Sequence, residues 1–217
     1  MSSYSAPLNE IRFALHDVLG VESTFRQLGY DDAGRETIDA ILEEGARFCE
    51  SVLAPLNQVG DRHGVGYDAD TGNVTTAPGF KEAYAQFTEG GWGGLTAPAE
   101  YGGMGMPHTL GLPLEEMINS ANLAWGNFPL LSHGAQNALL HHGEEWQREV
   151  FLTRLVSGEW TGTMCLTEPH CGTDLGLLRT RAEPRADGTY AVTGTKIFIT
   201  AGEHDLAPNI VHLVLAR

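Results

Sequence analysis

Lysine is almost missing from this chain. Of 217 residues only Lys81 and Lys196 are lysines, and 13 Lys+Arg stand against 28 Asp+Glu, a formal net charge of −15. No basic stripe exists to neutralise a phosphate backbone, so nucleic acid is not an expected partner. The same field repels any polyanion at long range, and a phosphate site here must rest on local backbone N–H groups and a few arginines. Cysteine is scarce as well. Cys49, Cys165 and Cys171 are odd in number and form no C-x-x-C pair, which fits reduced thiols. A metal set of Cys165, His170 and Cys171 lacks an evident fourth ligand, and adjacent His170 and Cys171 are expected to point apart, so no metal is expected. Residues 1–10, MSSYSAPLNE, lack the basic start and apolar run of an export signal, and no stretch approaches the roughly eighteen uninterrupted apolar residues of a membrane span. The expectation is a cytoplasmic protein without membrane insertion. Internal repeats and low-complexity tracts are also lacking.

What is present suffices for a core: 42% of residues are hydrophobic and 8% aromatic, a globular composition. Apolar spacing predicts helices over 9–20, from 32 to a stop at Pro55, over 78–90, 112–124, 129–142 and 144–156, with 57–77 a loop. The glycine-rich stretch 91–107, GWGGLTAPAEYGGMGMP, follows no strand and carries no dinucleotide-binding register. After Gly158 the apolar period changes from 3.6 to 2. Strands are predicted over 160–167, 178–184, 189–193, 197–200 and 210–216, with RADGT at 185–189 as a hairpin turn. The last of these has no partner strand after it. The expected fold class is α+β: an all-helical domain, 1–159, followed by a partial antiparallel β domain, 160–217.

Two stretches in the second part are unlike core sequence, MCLTEPHCGTDLG at 164–176 and GTKIFITAG at 194–202. Pro169 forces extended backbone on Glu168, and Gly172 lets successive N–H groups point into one concavity flanked by the hydroxyls of Thr167 and Thr173. Such a loop suits a diphosphate or the polar edge of a planar heterocycle, with Phe198 against the ring and Thr200 donating a hydrogen bond. The plainer reading is a turn between strands with Phe198 in the core. His133, His141 and His142 read as helix residues near a C-terminus, and Arg179 and Arg181, alternating on a strand, can reach a phosphate or face solvent.

MCLTEPHCGTD resembles the flavin-loop signature of the acyl-CoA dehydrogenases, GTKIFITAG resembles the motif that follows it in that family, and GWGGLTAPAEYGGMG is similar to the family's loop between helical segments. The opening YSAPLNEIRFAL resembles the larger bacterial branch that includes 3-methylthiopropanoyl-CoA dehydrogenases. The resemblance implies an FAD site in which Met164, Cys165, Leu166, Thr167, Gly172 and Thr173 wrap the isoalloxazine and diphosphate, while Phe198, Ile199 and Thr200 back the ring. Thr173, where the family usually has Ser, would also touch substrate, and Cys171 stands where the family usually has Ala. The implied reaction removes the α-proton of an acyl-CoA and passes a β-hydride to FAD, giving a trans-2-enoyl-CoA in fatty-acid or 3-methylthiopropanoyl-CoA catabolism. The implied partners are acyl-CoA, a second copy or three further copies, and electron-transfer flavoprotein. In the family the base is a Glu in a third, helical domain, so this chain is expected to be an amino-terminal portion with no catalytic residue of its own, inactive alone. An acyl-CoA oxidase or flavin monooxygenase on the same fold, or a non-catalytic binding piece, are the alternatives.

Overall fold

The computed structural model describes residues 4–217; residues 1–3, the start of the stretch read for an export signal and of the first expected domain, lie outside the described residues. Helix α1 (Leu8–Arg12) runs directly into a π turn, Phe13–Val18, and Gly20, in the left-handed region at φ 57°, turns the chain into α2 (Val21–Gln27). A polar knot around buried His16 joins these to α3 (Arg35–Phe48): His16 Nδ1 lies 2.7 Å from Glu22 and its Nε2 3.3 Å from Asp39, which also accepts from Arg12 Nε at 2.7 Å.

The predicted stop at Pro55 is corrected. From Phe48 the helix widens into a π turn, Cys49–Leu53, and continues as α4 (Ala54–His63). Pro55 falls in the first turn of α4, where its missing N–H costs nothing and the wide turn before it makes room for the ring. The predicted loop 57–77 is thus partly helix, and its remainder carries a short antiparallel pair, β1 (Gly66–Tyr67) and β2 (Val74–Thr75).

Helix α5 (Phe80–Glu89) buries Phe80, Ala83, Tyr84 and Phe87, as its spacing requires. The glycine-rich stretch after it is a packing joint of two 3-10 turns, Trp92–Gly94 and Ala99–Tyr101. At Gly103 a Cβ would stand 2.1 Å from the Ala97 carbonyl oxygen, so only glycine fits.

Helix α6 (His108–His142) spans what the sequence reading divided at 125–128. Its break lies instead at Asn122, φ −158° and ψ 87°. Asn122 is 1% exposed. Its Oδ1 accepts the Trp125 N–H at 3.0 Å, capping the second half, and its Nδ2 donates to the Leu53 carbonyl at 3.3 Å. This is N-cap chemistry inside one apparent helix. Asn122→Ala is expected to cost about 1–2 kcal/mol in stability, measured by urea unfolding of the full-length protein; a change below a few tenths would show that the kink needs no cap.

Helix α7 (Glu145–Gln147), entered through a capping box of Glu144 and Gln147, passes through a π turn into α8 (Thr153–Ser157). Strands follow: β3 (Thr161–Cys165), β4 (Arg181–Pro184), β5 (Tyr190–Thr193) and β6 (Ile210–Val214). The architecture is α+β, a helical first part and a small β part. β4 and β5 pair antiparallel around the predicted turn, with Gly188 at φ 83°. Strand β6 is not left unpaired as expected. It pairs in parallel with β3, Thr161 opposite Ile210 and Cys165 opposite Val214. A partner lying far upstream across a crossover leaves no mark in the local sequence. The predicted strand at 197–200 is also absent: Phe198 at φ 57° and Ala201 at φ 54° hold left-handed backbone that no ladder tolerates.

The side chains of β3 alternate between two environments. Gly162 faces α6, where an added Cβ would stand 2.6 Å from Ala135 Cβ, and its N–H donates to Ser132 Oγ at 3.0 Å. Buried Thr161 and Thr163 face the other way, towards His204 Nε2 at 3.0 Å and His212 Nδ1 at 2.6 Å. One face of the strand is thereby packed on α6 and the other is tied to the histidines of the β part.

Candidate functional site

Glu168 organises the region after β3. Its side chain is 2% exposed and takes four hydrogen bonds: the Arg179 N–H to Oε2 at 2.7 Å, and the Thr180 N–H, Thr180 Oγ1 and Lys196 Nζ to Oε1 at 2.9, 2.6 and 3.0 Å. The Thr180 hydroxyl leads, with the two N–H groups and Lys196, in holding this carboxyl far below the usual carboxylate range against its burial. A carboxylate so satisfied is a structural anion. It cannot serve as a general base, which needs a pKa near the working pH.

Lys196 carries the connection onward. Its Nζ also donates to the Leu166 carbonyl at 2.9 Å, and the Ile197 N–H donates to the Thr167 carbonyl at 3.0 Å. These bonds lay residues 197–201 beside 164–167. The fold therefore brings the two expected groups together: Met164 and Cys165 at the end of β3, Leu166 and Thr167 just beyond, Gly172 and Thr173 in the exposed turn, and Phe198, Ile199 and Thr200 on the neighbouring segment. Met164 borders Gly134 of α6, whereas Cys165 faces the opposite side with His212.

Phe198 is 89% exposed, which overturns the plainer reading of a core ring. An exposed aromatic on left-handed backbone is a costly arrangement, of the kind that accompanies ligand surfaces. Among the described residues the N–H groups of Gly172, Thr173, Ile199 and Thr200 have no acceptor within the chain. One wall thus offers a ring, two flanking hydroxyls and a row of free donors, which fits a flat heterocycle with polar edges and a diphosphate tail.

A second feature lies against α6. Between α5, the 3-10 turn at Trp92 and α6 is a cavity of about 250 Å³, largely apolar, lined by Phe87, Trp92, Leu95, Leu112, Pro129 and His133 among others. His133, read from sequence as a helix-end residue, sits in the body of α6 with Nδ1 3.4 Å from Glu115 Oε1 at this cavity. Ser132 and Gly134, its neighbours, touch β3. Cavity and wall are therefore joined by one short piece of helix.

The ligating atoms of Glu168, His170 and Cys171 lie within 4.8 Å of one another, so His170 and Cys171 do not point apart as expected. The Glu168 oxygens are already taken by four donors, and His170 Nε2, the ring nitrogen beside Glu168, donates its N–H to the Leu177 carbonyl at 3.0 Å and so has no lone pair to offer an ion. No metal is proposed.

Residues 35–159 match the acyl-CoA dehydrogenase N-terminal domain, well over half of the chain. The chain belongs to the acyl-CoA dehydrogenase family. The 3-methylmercaptopropionyl-CoA dehydrogenase of Ruegeria pomeroyi is 46% identical over 220 residues, which take in 99% of this chain and 36% of that protein. The butyryl-CoA dehydrogenase structure from Megasphaera elsdenii superposes with a TM-score of 0.65 at 29% identity, over 76% of this chain and 41% of that one. An acyl-CoA dehydrogenase from Bacillus anthracis complexed with FAD shares the fold, with a TM-score of 0.62 at 24% identity over 79% of this chain and 27% of that one. The chain spans little more than a third of the length of the curated relatives it matches. No helix among the described residues is long and apolar enough to cross a membrane.

Sequence reasoning missed Lys196 as the tie between the two motifs. The signal available was its rarity, one of two lysines, set in the second motif. The Glu115–His133 pair had no signal, because 18 residues separate its members.

Proposed function

We propose that residues 1–217 are the amino-terminal part of an FAD-dependent acyl-CoA dehydrogenase that converts an acyl-CoA thioester to a trans-2-enoyl-CoA. The docking of 197–201 against 164–167 carries this reading, because it presents Phe198, Thr200 and Thr167 on one wall with free N–H donors. FAD, when bound there, supplies the acceptor for the hydride leaving the β-carbon.

The chain's own residues bind, orient and exclude water. Thr167 and Thr200 hold the polar edges of the ring, Phe198 covers a face, and Gly172 and Thr173 offer N–H groups and a hydroxyl to the diphosphate and substrate. The apolar cavity beside α6 takes the acyl tail, with its reacting end towards Met164. Removing a weakly acidic α-proton demands a carboxylate base with a raised pKa. Glu168 is held far on the opposite side and is not that base; following the family resemblance, the proposal places the base outside 1–217, and this segment alone is expected to turn nothing over. The names of the relatives suggest 3-methylthiopropanoyl-CoA and butyryl-CoA as first substrates to try. Electron-transfer flavoprotein as acceptor, a dimeric or tetrameric assembly and a cytoplasmic location belong to the same proposal.

Anaerobic bleaching of the flavin in the full-length protein tests the reading. Thr200→Val should slow reduction roughly 2- to 13-fold, the equivalent of losing one hydrogen bond of about 0.5–1.5 kcal/mol, while flavin stays bound. An unchanged rate would remove Thr200 from the ring, and no bleaching with any acyl-CoA would end the proposal.

A further inference from the structure

We infer that the cleft between the Glu168 loop and β4 is a phosphate site, built from Arg179, Arg181 and Arg217. The cleft has a volume of about 680 Å³, and His170 and Leu177 also line it. The Arg217 N–H donates to the Thr180 carbonyl at 2.9 Å and the Ala182 N–H to the Arg217 carbonyl at 2.7 Å, which sets Arg217 directly beside Arg181 on the neighbouring strand. Arg179 stands two residues before Arg181 and so shares its side. All three arginines line the same cleft.

The Arg217 side chain and the backbone that carries Arg179 are held in place. Arg217 Nε donates to the Leu178 carbonyl at 2.9 Å and its Nη2 donates to the Gly176 carbonyl, so its planar fork is oriented before any ligand arrives. The backbone at Arg179 and Thr180 is held by the Glu168 carboxylate. His170 Nε2 bonds the Leu177 carbonyl at the rim and lies 3.6 Å from Glu168 Oε2.

No acid answers these charges. The chain has 28 Asp+Glu for 13 Lys+Arg, and Arg12, Arg35, Arg47 and Arg154 have carboxylate partners; among the arginines that have none, Arg179, Arg181 and Arg217 are the ones that line a common cleft. Arg179, Arg181 and Arg217 have none among the described residues. The nearby acids are otherwise placed: Glu168 is buried in its own bonds, Asp174 Oδ1 accepts the Gly176 N–H, and exposed Glu183 forms no ion pair. Three like charges gathered in a strongly acidic chain repel one another unless an anion sits between them. The guanidinium donors of Arg179 and Arg181, with Arg217 Nη1, which the two carbonyls leave free, suit the oxygens of a phosphate group.

The ligand is a phosphoester of a nucleotide cofactor. This rests on the proposed function, which supplies two sources, the diphosphate of FAD and the phosphates of acyl-CoA. The test uses the full-length protein and an Arg179→Gln/Arg181→Gln variant, with Arg179→Lys/Arg181→Lys as the charge-preserving control and circular dichroism to verify folding of both. Inorganic pyrophosphate is titrated calorimetrically into holoenzyme and apoprotein. Wild type should bind it about tenfold or more tightly than the glutamine variant, with the lysine variant between. Binding to the apoprotein alone, with faster loss of FAD from the glutamine variant, identifies the FAD diphosphate. Binding to both forms, with KM for acyl-CoA raised about tenfold and KM for the matching acyl-pantetheine unmoved, identifies the CoA phosphates. Equal or absent pyrophosphate binding in wild type and glutamine variant overturns the site. Failure of every acyl-CoA to bleach the flavin would instead discard the proposed reaction while leaving the pyrophosphate result standing.

Discussion

Glu168→Ala in the full-length protein should strip the flavin, lowering FAD retention by roughly tenfold or more, because removing one member of a buried, hydrogen-bonded charge set leaves the others uncompensated. The stranded groups are known: the Lys196 ammonium, 10% exposed, the Thr180 hydroxyl, and the N–H groups of Arg179 and Thr180. Lys196 would be expected to turn towards water, releasing the Leu166 carbonyl and with it the segment that carries Phe198 and Thr200. Glu168→Gln preserves volume and can still accept from Thr180, yet it offers Lys196 no charge, so its loss of FAD should be intermediate. Absorbance of the purified variants at the flavin bands measures both. Full retention in Glu168→Ala would show that the loop holds its shape without the carboxylate.

The same contacts set a pH dependence. The Glu168 carboxyl is depressed in the folded state, principally by the Thr180 hydroxyl and then by the Arg179 and Thr180 N–H groups. A depressed carboxyl contributes stability that is fully present above its unfolded pKa, about 4.3 for Glu. That contribution is lost as pH falls below this value towards the folded pKa, because the unfolded chain takes up the proton first. The midpoint of thermal unfolding should therefore fall between pH 5 and 3 more steeply in wild type than in Glu168→Gln. Parallel slopes would mean that other carboxylates, such as Asp39 and Glu22 beside His16, dominate the acid limb.

The helices were legible wherever the apolar period was unbroken. Ile38, Leu42 and Ala46 in α3 and Phe80, Tyr84 and Phe87 in α5 face the core as their spacing demands. The departures come from residues whose local preference is met by an unusual partner. Pro55 signals a stop, but the π turn before it admits the ring. Pro129 signals a new start, but the actual break is at Asn122, whose bond to the Leu53 carbonyl couples residues 69 apart. The β part was legible as strand-rich and illegible as a sheet. The pairing of β3 with β6 spans nearly the whole β segment, and a local pattern cannot name a partner at that distance. At the candidate site the two motifs drew attention to stretches that the fold lays side by side, whereas the atoms that tie them, Glu168 Oε1 and Lys196 Nζ, are separated by 28 residues. Resemblance located the loop; only three-dimensional placement explains why it holds.

Trp125→Ala should be the most damaging single change to the core, costing about 3–5 kcal/mol. The ring is 0% exposed at the hinge of the helical part. It meets Phe48 and Phe87 edge to face, with centroids 5.9 and 5.4 Å away, and Tyr84 at 6.5 Å. Its Nε1 donates to the Phe80 carbonyl at 3.2 Å, and its backbone N–H is the one that Asn122 caps. One residue thus joins α3, α5 and both halves of α6. Truncation opens a large cavity and leaves the Phe80 carbonyl without its donor, two costs with the same sign. Trp125→Phe fills most of the volume and forfeits only the hydrogen bond, so it should cost about 1–2 kcal/mol. Urea unfolding of both full-length variants, followed by near-ultraviolet circular dichroism, separates the contributions. The β part reports on the same event, because α6 carries Ser132 and Gly134 against β3. If Trp125→Ala were to lose stability yet retain FAD as wild type does, the helical core and the flavin wall would be independent, contrary to the continuous packing from Trp125 through Ser132 to Gly162.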